Sequence, residues 1–140
     1  MSVPTTIIHN KVPIDLFTPV GENMRSRIGI PRNARVLVTS AHWRRHKRLE
    51  ETIKLLSQLN ARSKHSYRLL VLGAKPNHIR TAEGVIFCGE IKPKDLPRWY
   101  RTGDIYVHLA WIEPCGNTQI EAMACGLPVI CTNNGGIGET

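Results

Sequence analysis

Short apolar runs alternate with amphipathic stretches along most of this chain. Ala34 to Ser40, ARVLVTS, is rich in β-branched residues and reads as a strand. Lys47 to Ala61 then places Leu49, Ile53, Leu56 and Leu59 at helical spacing. Tyr67 to Leu72 is a continuous apolar strand closed by Gly73, a short helix is expected around His78 to Glu83, and Val85 to Cys88 is a further strand. Asp95 to Arg101, DLPRWYR, predicts a short helix with Asp95 as its cap and Pro97 in its first turn. Ile105 to Leu109 reads as a strand, Thr118 to Cys125 as a helix and Pro128 to Thr132 as the last strand. Several strands are apolar without alternation, the pattern of a sheet covered on both faces. Strand and helix in turn predict an α/β fold: a doubly wound, mostly parallel sheet with helices on both faces.

The two ends break this pattern. Residues 1–33 are punctuated by prolines, lack long apolar runs and read as a lead-in with one strand at Thr6 to His9, ahead of a domain over residues 34–140. The chain reaches GGIGET straight after a strand, where a helix is expected next, so residues 34–140 read as an incomplete domain.

Length and composition narrow the class. A chain of 140 residues can bury one core, and 41% hydrophobic content is ordinary for a soluble domain. No apolar run approaches a membrane span, and the N-terminus lacks a charged start followed by a long apolar block, so the chain reads as soluble and cytoplasmic. Four cysteines (Cys88, Cys115, Cys125, Cys131) are too sparse and irregular for a disulfide scaffold or a zinc site, and no metal is expected. Lysine and arginine outnumber the acids 19 to 11, for a net charge of +8. That excess favours anionic partners: phosphorylated small molecules, nucleic acid or acidic lipid head groups.

In open α/β sheets, ligands bind beyond the carboxyl ends of the strands, where loops lead into helices. Three segments fall there: Ala41 to Arg48 (AHWRRHKR), Trp111 to Asn117, and Asn133 to Gly136. Backbone N–H groups at Asn117 to Gln119, with the helix dipole, favour an anion. Lys47 and one of the arginines would neutralise a second phosphate, arginine in bidentate fashion. Carboxylates are poor phosphate ligands but good acceptors for paired hydroxyls, which suits Glu113 and Glu121, eight positions apart, to sugar hydroxyls. Each feature alone has an ordinary reading. Glu121 could be a solvated surface carboxylate, HWRRHKR a solvated loop, Gly135-Gly136 a turn, and His108 a hydrogen-bonded core histidine. Their convergence on one edge points to a nucleoside diphosphate sugar.

Glu113-x7-Glu121, followed by AMACGLPVI and the Gly135-Gly136-Ile137 turn, resembles the C-terminal donor-binding domain of retaining GT-B glycosyltransferases, most closely the family-4 or "group 1" type. The resemblance covers nearly the whole chain. His9-Asn10 to Pro19 looks like the interdomain lead-in, Lys47-Arg48 like the basic helix start, and Phe87-x-Gly89-x-Ile91 like the nucleotide-base loop. It implies a Rossmann-like fold and a metal-independent hexosyltransferase with no cofactor, whose substrate is a nucleoside diphosphate sugar, UDP- or GDP-linked. Glu113 would act in catalysis near the donor sugar. Arg44, Arg45, Lys47, Gly116, Asn117 and Thr118 would hold sugar and phosphates, while Glu121, Gly89 and Ile91 would hold the ribose and base.

Three positions depart from the family pattern. His42 stands where an arginine is usual, Asn10-Lys11-Val12-Pro13 replaces Asn-Gly-x-Asp, and Gly138 replaces the proline of Gly-Gly-Ile-Pro-Glu. EPCGNTQ is also similar to bacterial glycogen synthases, which lack the second glutamate. An N-terminal acceptor domain is expected as partner, with a sugar or lipid as acceptor and no nucleic acid. The isolated residues are expected to be inactive, since nothing in them orients an acceptor. Peripheral membrane attachment of a longer protein stays open. The alternatives are a basic nucleic-acid-binding module built on HWRRHKRLE and a non-catalytic interaction module. A two-carboxylate glycosidase is disfavoured, because its acid and nucleophile must flank a bond across a cleft.

Overall fold

A computed structural model describes residues 3, 4, 6, 10–40 and 44–136. Five strands form one sheet: β1 (Arg35–Ser40), β2 (Tyr67–Leu72), β3 (Val85–Phe87), β4 (Ile105–His108) and β5 (Val129–Cys131). Their order is β3-β2-β1-β4-β5, and every adjacent pair is parallel. Three helices accompany them: α1 (Leu49–Arg62), α2 (Leu96–Tyr100) and α3 (Asn117–Ala124). This is the α/β, Rossmann-like architecture that the alternation of strand and helix patterns predicts.

Both sheet faces are covered, which explains the unbroken apolar runs. On one face Leu37, Leu69, Val71 and Val107 pack with Leu49, Ile53 and Leu56 of α1. On the other, Val36, Val38, Leu70, Leu72 and Tyr106 pack with Tyr100 of α2 and Ala122 of α3. Completely burying a side chain such as Leu56 or Leu70 contributes about 1.5–3 kcal/mol. The lead-in joins the second face. Phe17 and Ile30 are buried in its core, and Arg25 pairs with Asp104 at 2.7 Å while the same aspartate oxygen accepts from Val36 N.

Two local expectations are corrected. Residues 78–83 form no helix; the β2–β3 connection runs as turns and coil, with Ile79 buried beneath α1. Pro76 and the left-handed Gly84 (φ +80°) bound a stretch too short for an amphipathic stripe, and its one buried apolar anchor needs only a turn. Asp95 stands at the N-cap position of α2 as expected, but its side chain makes no capping hydrogen bond. A 3₁₀ turn over Pro93–Asp95 runs straight into the helix, so the carboxylate instead pairs with Arg98 at 3.2 Å. Most of the strand expected at Thr6 to His9 lies outside the described residues.

Candidate active site

β1 and β4 are neighbours at the centre of the sheet, yet their chains leave toward opposite faces, into α1 and α3. Such a reversal opens a crevice at the carboxyl ends of the strands. Lys47 lies there in a 3₁₀ turn over Arg45–Lys47, just ahead of α1 rather than in its first turn. Glu113 lies in the loop after β4. Lys47 Nζ donates to Glu113 Oε2, and both side chains are nearly buried. His108, the last residue of β4 and 2% exposed, places Nε2 3.0 Å from the same oxygen. A carboxylate only accepts, so Nε2 carries the hydrogen. Glu113 Oε1 has no partner among the described residues.

The electrostatics follow from these contacts. Burial alone would raise the Glu113 pKa, but the Lys47 hydrogen bond and charge, with His108, outweigh it and hold the carboxyl below its ordinary range. Burial and then the Lys47 charge lower the His108 pKa, against the pull of Glu113, so the imidazole stays neutral. The loop itself is held by backbone. Trp111 N–H donates to His46 C=O at 2.9 Å, and Gly136 N–H donates to Glu113 C=O at 3.1 Å. Gly135 is left-handed (φ +83°), and a Cβ there would lie 2.6 Å from Glu113 O, so the glycine pair allows a close backbone approach.

Glu121 sits one turn into α3, half-buried, and Tyr100 OH donates to its Oε2 at 2.7 Å. Burial raises the Glu121 pKa and the Tyr100 hydrogen bond partly offsets that. Tyr100 is itself buried, which pushes its phenol well above the ordinary range and keeps it a donor. The two glutamates are linked through a row of rings. Tyr100 meets Tyr106 edge-on at 5.9 Å, and Tyr106 stacks on His108 at 6.2 Å and 13°. Each end of that row bonds one glutamate. His108 was legible only as a hydrogen-bonded core histidine, and Tyr100 carried no sequence signal beyond an aromatic in a short helix.

At the start of α3 the three expected amides are not equivalent. Asn117 N–H bonds Cys115 C=O and Gln119 N–H bonds Gly116 C=O, so only Thr118 N–H lacks a partner among the described residues. Gln119 is 1% exposed and its Nε2 is unpaired. Gly116 lies against it: a Cβ there would lie 2.0 Å from Gln119 Oε1. The Asn10 side-chain amide donates to Asn117 Oδ1, which brings the lead-in to the helix start.

Gly89 takes φ +70° beyond β3 and bridges to Gly73. Ile91 lines a concavity of about 410 Å3 with Cys88, Lys92 and Trp99. Burial pushes the Cys88 thiol up to about 12, so it is an inert wall. Arg44 and Arg45 are not seen at Glu113 but line another cavity, on the α1 side. His42, Ile137 and Gly138 lie outside the described residues. Among the described residues no group of three metal-ligating side chains comes together, and no helix is long and apolar enough to cross a membrane.

This geometry coincides with a sequence match over residues 20–140 to the family described as "Glycosyl transferases group 1". The chain belongs to that family. The spore coat protein SA of Bacillus subtilis is 41% identical over 84 residues, which are 59% of this chain and 20% of that protein. D-inositol 3-phosphate glycosyltransferase 2 of Catenulispora acidiphila is 28% identical over 90% of this chain and 34% of its own length. The sucrose-phosphate synthase structure from Thermosynechococcus elongatus superposes with a TM-score of 0.75 at 26% identity, over 90% of this chain and 34% of that one. The structural neighbours are GT-B glycosyltransferases, and this chain is consistent with their C-terminal domain. It spans a fifth to a third of the length of these relatives.

Proposed function

We propose that this chain is the nucleotide-sugar donor-binding domain of a retaining glycosyltransferase, one that moves a hexose from a nucleoside diphosphate sugar to an acceptor without a metal. The observation that supports it most is the pair of glutamates at the switch point. Each is held by one oxygen and has the other without a partner among the described residues. In this reading Glu121 takes the ribose hydroxyls and Glu113 the hydroxyls of the donor sugar. The diphosphate lies between them, against Lys47, the Thr118 amide and the start of α3. As the bond to the sugar breaks, charge grows on the leaving diphosphate, and fixed cations and amides stabilise it there. The acceptor side comes from residues beyond this chain. Cytoplasmic location, with peripheral membrane attachment of the longer protein, belongs to the same reading.

The nucleic-acid alternative loses its main argument. The basic run is divided rather than presented as one stripe: Lys47 turns in beside Glu113, and Arg48 pairs with Glu51 and lies over Trp111. An amide-resolved NMR titration with UDP, GDP and ADP, in wild type and Glu121→Ala, tests the proposal. Saturable shifts at residues 89–91 and 113–121 with one nucleotide, lost in the variant, are expected. Equal, salt-dependent shifts with all three, or none, would overturn it.

A further inference from the structure

Positive charge gathers at the end of the sheet opposite the crevice, where the strands begin. Arg32 stands in the turn that leads into β1, Arg35 opens β1, Arg62 ends α1, Lys64 follows it, and Arg68 is the second residue of β2. Arg35 N–H donates to Ser66 C=O at 2.8 Å, which brings the starts of β1 and β2 together. Arg68 is half-buried and the other four cations are exposed. None of the five forms an ion pair among the described residues. Two acids precede strands at the same end. Asp104 is already held by Arg25 and by Val36 N–H, which leaves Glu83. The dipole of α1 accounts for cations at Arg62 and Lys64, beside its last carbonyls, but not for arginines at strand starts.

Lys64, His65 and Arg68 line a groove of about 540 Å3 there, together with Glu83. Its framework is fixed by hydrogen bonds. The Asn60 side chain is spent on both backbone groups of Tyr67, donating to the C=O at 3.2 Å and accepting from the N–H at 2.8 Å. His65 N–H donates to Ser63 Oγ at 3.0 Å. Arg68 Nη1 donates to Ser66 Oγ at 2.8 Å and to Tyr67 C=O at 3.1 Å. Those two bonds hold the guanidinium by one nitrogen and leave Nε and Nη2 without a partner among the described residues. That free side of the fork is the one that takes a carboxylate in bidentate fashion.

We propose that this groove is a docking site for an acidic segment of a partner protein. Carboxylates match the fork of Arg68 and the point charge of Lys64, and the surrounding arginines add longer-range attraction. Glu83 selects among anions. A phosphate backbone or an anionic bilayer brings only negative charge against it, whereas a peptide can place a backbone N–H there. Among the described residues no Phe, Tyr or Trp lines the groove, so a nucleic-acid base finds no ring to stack on. No large apolar side chain lines it either, so nothing there enters a bilayer. The groove lies away from Glu113 and Glu121, at the other end of the strands, and does not rest on the donor reading.

The test follows the backbone amides of the whole chain by NMR. The probes are capped hexaglutamate, heptathymidylate, which bears the same number of charges, and phosphatidylglycerol vesicles. Hexaglutamate is expected to shift residues 60–68 and 83–85 saturably and to leave residues 113–121 unmoved. It should bind at least about threefold more tightly than heptathymidylate. Lys64→Glu should weaken the peptide by about tenfold or more. Lys64 is exposed and unpaired among the described residues, so its replacement leaves the fold intact. Glu83→Gln should strengthen heptathymidylate more than the peptide. No saturable shift with hexaglutamate, or an unchanged affinity in Lys64→Glu, would overturn the proposal. Tighter binding of heptathymidylate would also overturn it and mark a nucleic-acid surface. Sedimentation with vesicles that hexaglutamate fails to displace would overturn it in favour of a membrane face.

Discussion

His108 Nε2 lies 3.0 Å from Glu113 Oε2 at the floor of the crevice, with the histidine almost completely buried. The contact orients the carboxylate by its inner oxygen and leaves the outer one available. It also makes the floor of the site sensitive to acid. The His108 pKa is lowered from 6.5 by burial and by Lys47, so the unfolded chain binds the extra proton more readily than the folded one. This contribution is fully present above about pH 6.5 and is lost as the pH falls through that value toward the folded pKa. Glu113, lowered from 4.5, adds a second loss at still lower pH. Urea denaturation from pH 8 to pH 5 should show declining stability, and His108→Leu should flatten that decline. An unchanged slope would detach the imidazole from it.

Tyr100→Phe deletes a single hydroxyl and leaves the aromatic row in place. The Glu121 carboxylate would lose its 2.7 Å donor while remaining half-buried. A hydrogen bond to a charged group is worth about 1.5–3 kcal/mol, so thermal unfolding should register a loss near the lower figure. Glu121 would also protonate more readily, because the hydroxyl is what opposes its raised pKa. Nucleoside diphosphate affinity should fall less than in Glu121→Ala. A fall equal to that of Glu121→Ala would mean that Tyr100 meets the ligand itself.

Gly135→Ala tests the backbone approach of the β5 loop. The position has φ +83°, and its new Cβ would meet Glu113 O at 2.6 Å, a backbone atom with nowhere to go. Left-handed strain and the clash together should cost about 1–3 kcal/mol. Donor affinity should fall with it, since the loop carrying Glu113 must shift. Wild-type stability and affinity would show that the loops are not locked together.

The fold was legible because strand and helix obey different periods, and five parallel strands covered on both sides leave continuous apolar runs such as Leu69 to Leu72. The β2–β3 connection was less so: HIRTAE carries helix-compatible residues, and only the burial of Ile79 decides that a turn suffices. At the site, the edge positions of Lys47 and Glu113 follow from element order, whereas their pairing does not. Nothing in a sequence tells which cation of a basic run turns inward. The same limit applies to Arg44 and Arg45: both line a cavity on the α1 side, and adjacency to Lys47 does not tell where their side chains go. Tyr100 and His108 needed three-dimensional neighbours to acquire a role.

The Lys47–Glu113 pair offers the sharpest separation of structure from function. Their side chains are 14% and 12% exposed, so removing one partner strands the other in a poorly solvated place. Fully buried pairs broken this way lose about 3–5 kcal/mol, and His108 remains here to share the Glu113 charge. Lys47→Met alone should therefore cost less, about 2 kcal/mol. Adding Glu113→Gln removes the stranded charge and should recover most of that loss, since His108 can still donate to the amide oxygen. Nucleotide binding should not recover, because the cation proposed to face the diphosphate is gone in both variants. Urea denaturation and UDP titration on the two proteins make the comparison. Recovery of both properties would show that Lys47 serves only to neutralise Glu113, and the diphosphate would then need another cation.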